Sequence, residues 1–438
     1  MAGEWVGRWR DQVAETVRAL GPEDTQPLPR LSREQVPPPR ELVLLLRALG
    51  VALLNSTESA STITTTLEDI AAAYDVDAQV LVLPTGILFR IGRDEVDLAA
   101  APTTALRLDQ IAGIEDLVVV LQRAGISPAQ GLSQLEQILA APPRFGVWVG
   151  VIGQTLLSLG FGLLLNPELD ALPAYIALGL FVGLLRLVAA RWPTLSVALP
   201  VVAALLVTVL TVLLVVPLVG DDPLRLATPA LVSFLPGATL TIATIELATG
   251  QMVSGASRLV WGVSQLLLLT FGVFVGLSLV TVPAAGPIDR LGAWAPWVGV
   301  LVVGVGYLLF SSAPRGSLVF LWVALVAAYG AQALGSVLLT AQLSGFVGGL
   351  VLVPLTQALS RIPYSPPAAV MMLPAFWLLV PGALGFRGVS ELANGLGAGY
   401  VVATAISVFA IALGVLVGTS LTRDVQAVRR SWRPRRAG

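Results

Sequence analysis

Hydrophobic and polar positions divide the chain into two regions. As far as residue 143, apolar residues recur at helical or strand spacing, whereas from Val147 onward long apolar runs alternate with short polar breaks. A helix needs about 20 mainly apolar residues to cross the hydrocarbon layer of a bilayer. The second region therefore predicts a polytopic α-helical membrane protein. Ten transmembrane helices are expected, at residues 147–165, 172–190, 195–219, 226–249, 258–282, 293–313, 316–334, 337–359, 367–393 and 398–421. The boundary between the seventh and the eighth stays open.

The more polar region predicts an N-terminal cytoplasmic α+β domain at residues 41–143. Helical spacing and β-rich runs place helices at 41–54, 58–74, 109–124 and 128–141, and strands at 78–83, 86–91, 95–99 and 103–107. Residues 1–40 predict an amphipathic helix at 4–20 and a proline-rich linker. That helix either lies on the membrane surface or docks on its own domain.

A hydroxyl-rich run from Ser56 to Thr66 opens the second predicted helix. Serine and threonine favour helix N-caps because the side-chain oxygen accepts a hydrogen bond from a free backbone N–H. The run is interpreted either as an N-cap followed by a solvated or strand-packed face, or as a polar surface that meets solute at the cytoplasmic mouth.

One stretch of the membrane region occurs twice, with nine identities in 22 positions at a constant offset of 145 residues. Pro229, Ala230, Pro236, Gly237, Ala238, Glu246, Leu247, Ala248 and Gly250 recur as Pro374, Ala375, Pro381, Gly382, Ala383, Glu391, Leu392, Ala393 and Gly395. Composition alone would give roughly two identities. The copies fall in the fourth and ninth spans, which must cross the membrane in opposite directions. This predicts two inverted five-helix repeats, at 144–282 and 283–422, followed by a basic tail at 423–438.

Each copy carries a Pro-Gly pair near the middle of its span. Proline lacks an N–H and glycine has little helical preference, so the pair predicts a helix broken at membrane depth. The freed backbone groups and half-helix ends can hold the carboxylate and ammonium of a zwitterion, although two simple kinks are the alternative. The candidate substrate-binding residues are Pro236, Gly237, Ala238, Thr239, Pro381, Gly382, Ala383, Arg387 and Asn394.

Glu246 and Glu391 are the candidate proton-coupling residues. A carboxylate within or at the edge of a span is costly and usually functional, and with no His, Cys or Lys only carboxylates can change charge near neutral pH. Arg387 lies four residues before Glu391 and either pairs with it or anchors a substrate carboxylate. The corresponding position before Glu246 is Ile242, so no arginine there holds Glu246 ionised. Glu246 is therefore the favoured carrier of the coupling proton. An interfacial glutamate held by a neighbour is the alternative reading of both.

Composition narrows the chemistry further. The 438 residues are 55% hydrophobic and 12% charged, with no His and no Cys. The usual general base and the commonest metal ligand are therefore missing, and no nucleotide-binding P-loop is present. No catalytic residue, cofactor or metal is expected, and ATP drive is disfavoured. No basic stripe with interleaved aromatic residues suggests nucleic acid.

Arginine placement predicts the orientation in the membrane. The cytoplasmic loops and flanks would hold Arg144, Arg186, Arg191, Arg258, Arg315, Arg361 and the tail from Arg423 to Arg436, against only Arg225 and Arg290 in the outer loops. Arginine and lysine are enriched on the cytoplasmic side of membrane proteins. No apolar run opens the chain, so no cleavable signal peptide is expected, and both termini are expected in the cytoplasm.

The chain resembles the threonine/serine exporter family. The residues that carry the resemblance are LLNSTESASTITTTLEDIAAAYDV (53–76), LPGATLTIATIELATGQMVSGASRL (235–259) and VPGALGFRGVSELANG (380–395), within a similarity from about 42 to 421. Thr66–Leu67 departs from the basic residue that the family more usually has before Glu68. The resemblance implies a soluble domain followed by two five-helix halves, and proton-driven export of threonine and serine. The soluble part of the family has been suggested to resemble a hydrolase, but this sequence has no nucleophile motif that supports such an activity.

The sequence as a whole predicts a secondary transporter of the bacterial inner membrane that exports small neutral amino acids. The resemblance implies that the substrate is threonine or serine; a coupling proton and the lipid bilayer are the other expected partners, and a homo-oligomer stays open. The alternative is a non-transporting membrane protein whose soluble domain is a sensor or interaction module.

Overall fold

The computed structural model describes residues 40–56, 58–91, 95–100, 105–281, 290–379 and 399–431. Three predicted features lie outside these residues. They are the amphipathic helix and linker before residue 40, the second copy of the repeat from residue 380 onward, and the end of the basic tail after residue 431.

Four helices and a three-stranded sheet precede the membrane helices. They are α1 (Arg40–Asn55), α2 (Ala60–Ala73), β1 (Ala78–Leu83), β2 (Gly86–Ile91), β3 (Glu95–Ala100), α3 (Leu108–Leu121) and α4 (Pro128–Ala140). The sheet is antiparallel in the order β1-β2-β3. Buried and exposed residues alternate along β1, so one face of the strand is turned to a core that includes Leu45, Ile63 and Phe89.

Local start signals decide where α2 and α4 begin. Ser59 is the N-cap of α2, and its Oγ accepts a hydrogen bond from the backbone N–H of Thr62 at 3.3 Å. Ser127 and Gln130 form a capping box at α4, with Pro128 in the first turn. The N-cap interpretation of the hydroxyl-rich run is therefore confirmed at Ser59.

The predicted strand at 103–107 is wrong for its described part, because residues 105–107 are not in a strand. Arg107 instead precedes α3, and its guanidinium donates to Asp109 at 3.0 Å and to the carbonyl of Ala141 at 2.8 Å. The backbone N–H of Leu108 donates to the carbonyl of Ser311, at 3.0 Å. These contacts turn the chain into α3 where local strand propensity favoured an extended segment.

The membrane region consists of apolar helices joined by short connections. They are α5 (Val147–Leu165), α6 (Leu172–Ala189), α7 (Pro193–Leu210, prolonged through Thr211–Val215 and Val216–Val219), α8 (Pro223–Leu231), α9 (Gly237–Ala248), α10 (Met252–Ser278), α11 (Ala295–Phe310), α12 (Ser317–Leu338), α13 (Ser344–Leu359), α14 (Ala368–Leu379) and α15 (Gly399–Ser431). Among the described residues, six helices are long and apolar enough to span a membrane, or seven if α8 and α9 form one bent span. Three more, α11, α13 and α14, are shorter and apolar. The chain is thus a multi-pass helical membrane protein, and the count of ten spans stays a prediction.

The α/β elements meet one end of the membrane helices. Arg144, just before α5, donates to the carbonyl of Ala313 at 2.9 Å, in the connection between α11 and α12. We call this the near end. The 19 residues of α5 rise about 28 Å, so its last residue, Leu165, lies at the opposite or far end, with the connection to α6.

Packing partners recur along the membrane region. Helix α7 packs against α10, and α13 packs against α15. Similarly α6 packs against α8, and α12 against α14. Helices α5 and α11 pack most extensively on each other.

The crossing of α5 and α11 depends on glycine. A Cβ built on Gly160 would lie 2.8 Å from the backbone nitrogen of Val303 and 2.9 Å from the carbonyl oxygen of Gly299. Real Cβ atoms do not approach other heavy atoms this closely. Small residues let membrane helices approach until their backbones touch, so the crossing has no room for a side chain here.

Gly160→Val is therefore expected to destabilise the protein by ~1–3 kcal/mol, the usual cost of overpacking a close-packed contact. Gly150→Val is the matched control on the same helix, because a Cβ at Gly150 meets nothing within 4 Å. Thermal unfolding of the two purified variants in one detergent is the measurement. Equal melting temperatures would contradict the glycine contact.

Candidate functional site

The fourth predicted span is broken where the sequence places Pro-Gly. Helix α8 ends at Leu231, a 3₁₀ turn covers Val232–Phe234, and α9 begins at Gly237. The two helices are bent by 64° relative to each other. The predicted break at Pro236-Gly237 is confirmed, because Pro236 has no N–H to continue the ladder and adopts φ −80°, ψ 39°.

The break leaves the N-terminus of α9 inside the protein. Pro236, Gly237 and Ala238 are buried and Thr239 is half-buried. No side chain of the described residues caps this helix end. The first N–H groups of a helix have no partner within it and carry partial positive charge, so this end can accept an anion such as a carboxylate.

Arg186 of α6 lies against the same break. Its Nη2 donates to the carbonyl oxygen of Ser233 at 3.1 Å and to Ser233 Oγ at 2.9 Å. Its Cζ is 4.0 Å from the centre of the Phe234 ring and 5.3 Å from that of Phe310. The arginine therefore brings a positive charge to the 3₁₀ turn between α8 and α9. Sequence reasoning treated Arg186 only as a marker of orientation, and nothing in the local pattern pairs it with Ser233.

Several buried polar atoms nearby have no hydrogen-bond partner among the described residues. Gln154 Nε2 donates to the carbonyl of Ala230 at 3.3 Å, in the last turn of α8, but Gln154 Oε1 has no partner. The same holds for Ser158 Oγ on α5 and for Thr241 Oγ1 on α9. Buried polar groups normally form hydrogen bonds, so these atoms of α5 and the broken span are available to bind a polar solute.

Glu246 lies near the end of α9 and joins the membrane helices to the α/β elements. Its side chain is fully buried. Oε1 accepts the backbone N–H of Ala60, the first residue of α2, at 2.9 Å, and Oε2 accepts Ser254 Oγ at 2.9 Å. A carboxylate at a helix N-terminus is favoured by the free N–H groups and the helix dipole. The hydroxyl-rich run thus contains the start of α2, and the first backbone N–H of that helix binds the carboxylate of Glu246.

An arginine also pairs with Glu246, which corrects the sequence argument. Ile242 does occupy the position one turn earlier, but Arg258 Nε of α10 lies 3.3 Å from Glu246 Oε2. Arg258 Nη2 also donates to the backbone carbonyl of Glu58, at 3.1 Å. The turn through Gly250 (φ 83°) folds α10 back on α9, so residues 12 positions apart meet. The sequence missed Arg258 because a reverse turn, not helical spacing, makes the pair.

Two further carboxyls face this contact from the α/β side. Burial raises the pKa of Glu58, and the Arg258 guanidinium opposes that shift. Burial, followed by the negative charges of Glu58 and Asp116, raises the pKa of Glu115 on α3 to about 8. Glu115 at the near end therefore takes up a proton close to neutral pH.

The structure brings only the first copy of the predicted site together. Pro236 to Thr239 form the break, and Glu246 lies on the same helix about ten residues on. The remaining predicted residues lie outside the described part of the chain: Pro381, Gly382, Ala383, Arg387, Glu391 and Asn394. Their roles stay predictions.

Comparison with known proteins identifies one family. A family model described as "Putative threonine/serine exporter" matches residues 44–280. That range covers more than half of the 438 residues, from α1 to the end of α10. No curated protein and no solved structure matches the chain.

Proposed function

Because the chain belongs to the threonine/serine exporter family, we propose that it is a secondary transporter that exports threonine and serine, with a proton as the coupling ion. The observation that carries this proposal is the broken span, with the positive charge of Arg186 at its bend and unsatisfied buried polar atoms on α5 and α9. Such breaks form the substrate sites of many secondary transporters. No enzyme activity is part of the proposal.

The proposed architecture is two inverted five-helix halves. The pairing of α7 with α10 matches that of α13 with α15, and the pairing of α6 with α8 matches that of α12 with α14. This is the correspondence expected if α5 to α10 and α11 to α15 are two copies of one unit. The repeated sequence supports the same interpretation, since the second copy starts inside α14, at Pro374, as the first copy starts inside α8, at Pro229.

The substrate carboxylate is proposed to bind between Arg186 and the free N-terminus of α9. Arg186 already donates to two oxygens of Ser233, and a carboxylate would take the same donors with a full negative charge. Thr239 and Thr241 lie in the first turns of α9 and offer hydroxyl partners for the side chain of threonine or serine. The second-half candidates Pro381, Gly382, Ala383, Arg387 and Asn394 are proposed to complete the site.

Glu246 is proposed to carry the coupling proton, with Glu391 as its counterpart in the second half. Protonation of Glu246 would cancel its attraction to Arg258 and weaken its hold on the N-terminus of α2. The α/β elements would then loosen from the near end. Proton uptake and access to the substrate site are coupled in this way.

The proposed setting is the bacterial inner membrane, with both termini and the α/β elements in the cytoplasm. Arg144, Arg258 and Arg315 all lie at the near end, beside those elements, as the positive-inside rule favours. The far end would then face outward.

Flux through reconstituted vesicles tests the proposal. Vesicles that contain the full-length protein are loaded with labelled threonine or serine, and a proton gradient is imposed. We expect solute release that depends on the gradient and on the protein. If no small amino acid moves with or without a gradient, the non-transporting alternative replaces the exporter.

A further inference from the structure

A buried pair of carboxyl groups lies at the far end of the membrane region, away from the proposed substrate site. Glu168 is in the connection between α5 and α6, and Asp221 comes just before α8; their residues are only 1% and 3% exposed. Asn166 Nδ2 donates to Asp221 Oδ2 at 3.0 Å. By contrast, neither carboxyl oxygen of Glu168 meets a donor with hydrogen-bond geometry among the described residues.

The charges around Glu168 favour its protonated form. Burial and the neighbouring Asp221 raise the pKa of Glu168 to about 7, against smaller opposing effects of Asn166 and Arg290. Arg290 is exposed, so solvent screens its charge. Two carboxylates that share a buried site repel each other, and this repulsion favours the protonated form of Glu168.

The other nearby acidic groups are engaged or solvated. Asp222 caps α8, because its Oδ1 accepts the backbone N–H of Leu224 at 2.8 Å. Asp170 is exposed to solvent. The Tyr175 hydroxyl donates to the carbonyl of Asn166 at 3.0 Å and receives the Asn166 amide at 3.1 Å, which holds Asn166 in place beside Asp221.

The pair also joins three parts of the fold. Glu168 and Arg290 form an antiparallel backbone bridge, and the backbone N–H of Leu291 donates to the carbonyl of Pro167 at 2.8 Å. These contacts tie the α5–α6 connection to the segment that leads into α11. Asp221, through its contact with Asn166, ties the same connection to the start of α8, the outer half of the broken span.

We propose that Glu168 and Asp221 form a one-proton latch at the far end of the membrane region. With one proton between them, the carboxyls stay together and the start of α8 remains fastened to the α5–α6 connection. When the proton leaves to water at the far end, two like charges remain in a buried site. Their repulsion separates the start of α8 from the α5–α6 connection. The latch follows from the buried carboxyl pair and its contacts, whereas its use as a gate during export rests on the proposed function.

Cysteine accessibility tests the latch without any transport. The chain has no cysteine, so Ala171→Cys introduces a single thiol at a fully buried position at the end of the connection. The rate of its reaction with a maleimide is measured in the purified full-length protein from about pH 5.5 to 8.5. Leu169→Cys, at an exposed position two residues earlier, is the reference, because the ratio of the two rates cancels the pH dependence of the thiolate.

We expect the ratio for Ala171→Cys to rise about tenfold, with a midpoint near pH 7, as the latch opens. Glu168→Gln and Asp221→Asn should each abolish the rise and keep the thiol protected, since neither variant leaves two charges. Asp170→Asn removes an exposed carboxyl in the same connection and should leave the rise of the ratio with pH unchanged.

Three results would overturn the latch. The first is a ratio that does not vary with pH. The second is a rise that survives in Glu168→Gln, with correct folding shown by an unchanged elution volume. The third is a ratio that follows sodium or calcium concentration at constant pH, which would assign the pair to a metal cation. None of these depends on threonine flux, so a failure of the exporter proposal is separately visible.

Discussion

Glu246→Gln is expected to abolish threonine efflux driven by a pH gradient while leaving the exchange of labelled for unlabelled threonine intact. Exchange needs no net proton movement, whereas efflux against a gradient needs a group that takes up and releases the proton. Glutamine keeps the size of the side chain: its oxygen can accept the Ala60 N–H and its amide nitrogen can donate to the Ser254 hydroxyl, but it carries no charge for Arg258. The variant therefore resembles a permanently protonated Glu246.

The decisive result is the loss of pH-driven efflux with exchange retained. Glu136→Gln is the matched control, since Glu136 is an exposed residue on α4, away from the membrane helices. It should keep both activities. If Glu246→Gln retains full pH-driven efflux, the coupling proton binds elsewhere, with Glu391 next to be tested. If it loses both activities with normal folding, Glu246 is a structural link between α2 and α9 and not the coupling group.

Arg186→Met is expected to reduce both efflux and exchange by about 10- to 150-fold, chiefly by raising the concentration of threonine needed for half-maximal rate. A hydrogen bond to a charged group contributes about 1.5–3 kcal/mol, and 1.4 kcal/mol corresponds to a factor of ten. Methionine fills a similar volume between the Phe234 and Phe310 rings but donates nothing to a carboxylate. Arg186→Lys should recover part of the activity, because it keeps the charge and loses the planar fork.

Arg191→Met is the control for Arg186. Arg191 follows α6 and is exposed, so its loss should leave threonine affinity unchanged. A second readout separates substrate binding from structural support of the turn at Ser233. Wild type should prefer serine to serine amide, which lacks the carboxylate, and Arg186→Met should lose that preference. An unchanged preference would show that Arg186 only holds the turn together.

Much of the local structure was predictable because it depends on neighbours in the chain. The strands β1 and β2 lie at the predicted residues, since alternating β-branched residues around Pro84-Thr85-Gly86 indicate a hairpin. The break at Pro236-Gly237 was predictable for the same kind of reason, because the missing N–H of proline is followed directly by a glycine with little helical preference. The error at 105–107 arose where contacts with distant residues outweighed local propensity.

The sequence by itself determined the division into α/β and membrane regions, the family, and which carboxylates lie in or beside the apolar runs. Hydrophobic periodicity and proline chemistry act over a few residues and can be read along the chain. Only the tertiary structure decided which groups meet: Ala60 with Glu246, Arg186 with Ser233, and Asn166 with Asp221, which are separated by 186, 47 and 55 residues. Those pairings depend on how helices pack and where turns fold back. A pattern with a period of two or three to four residues carries no information about them.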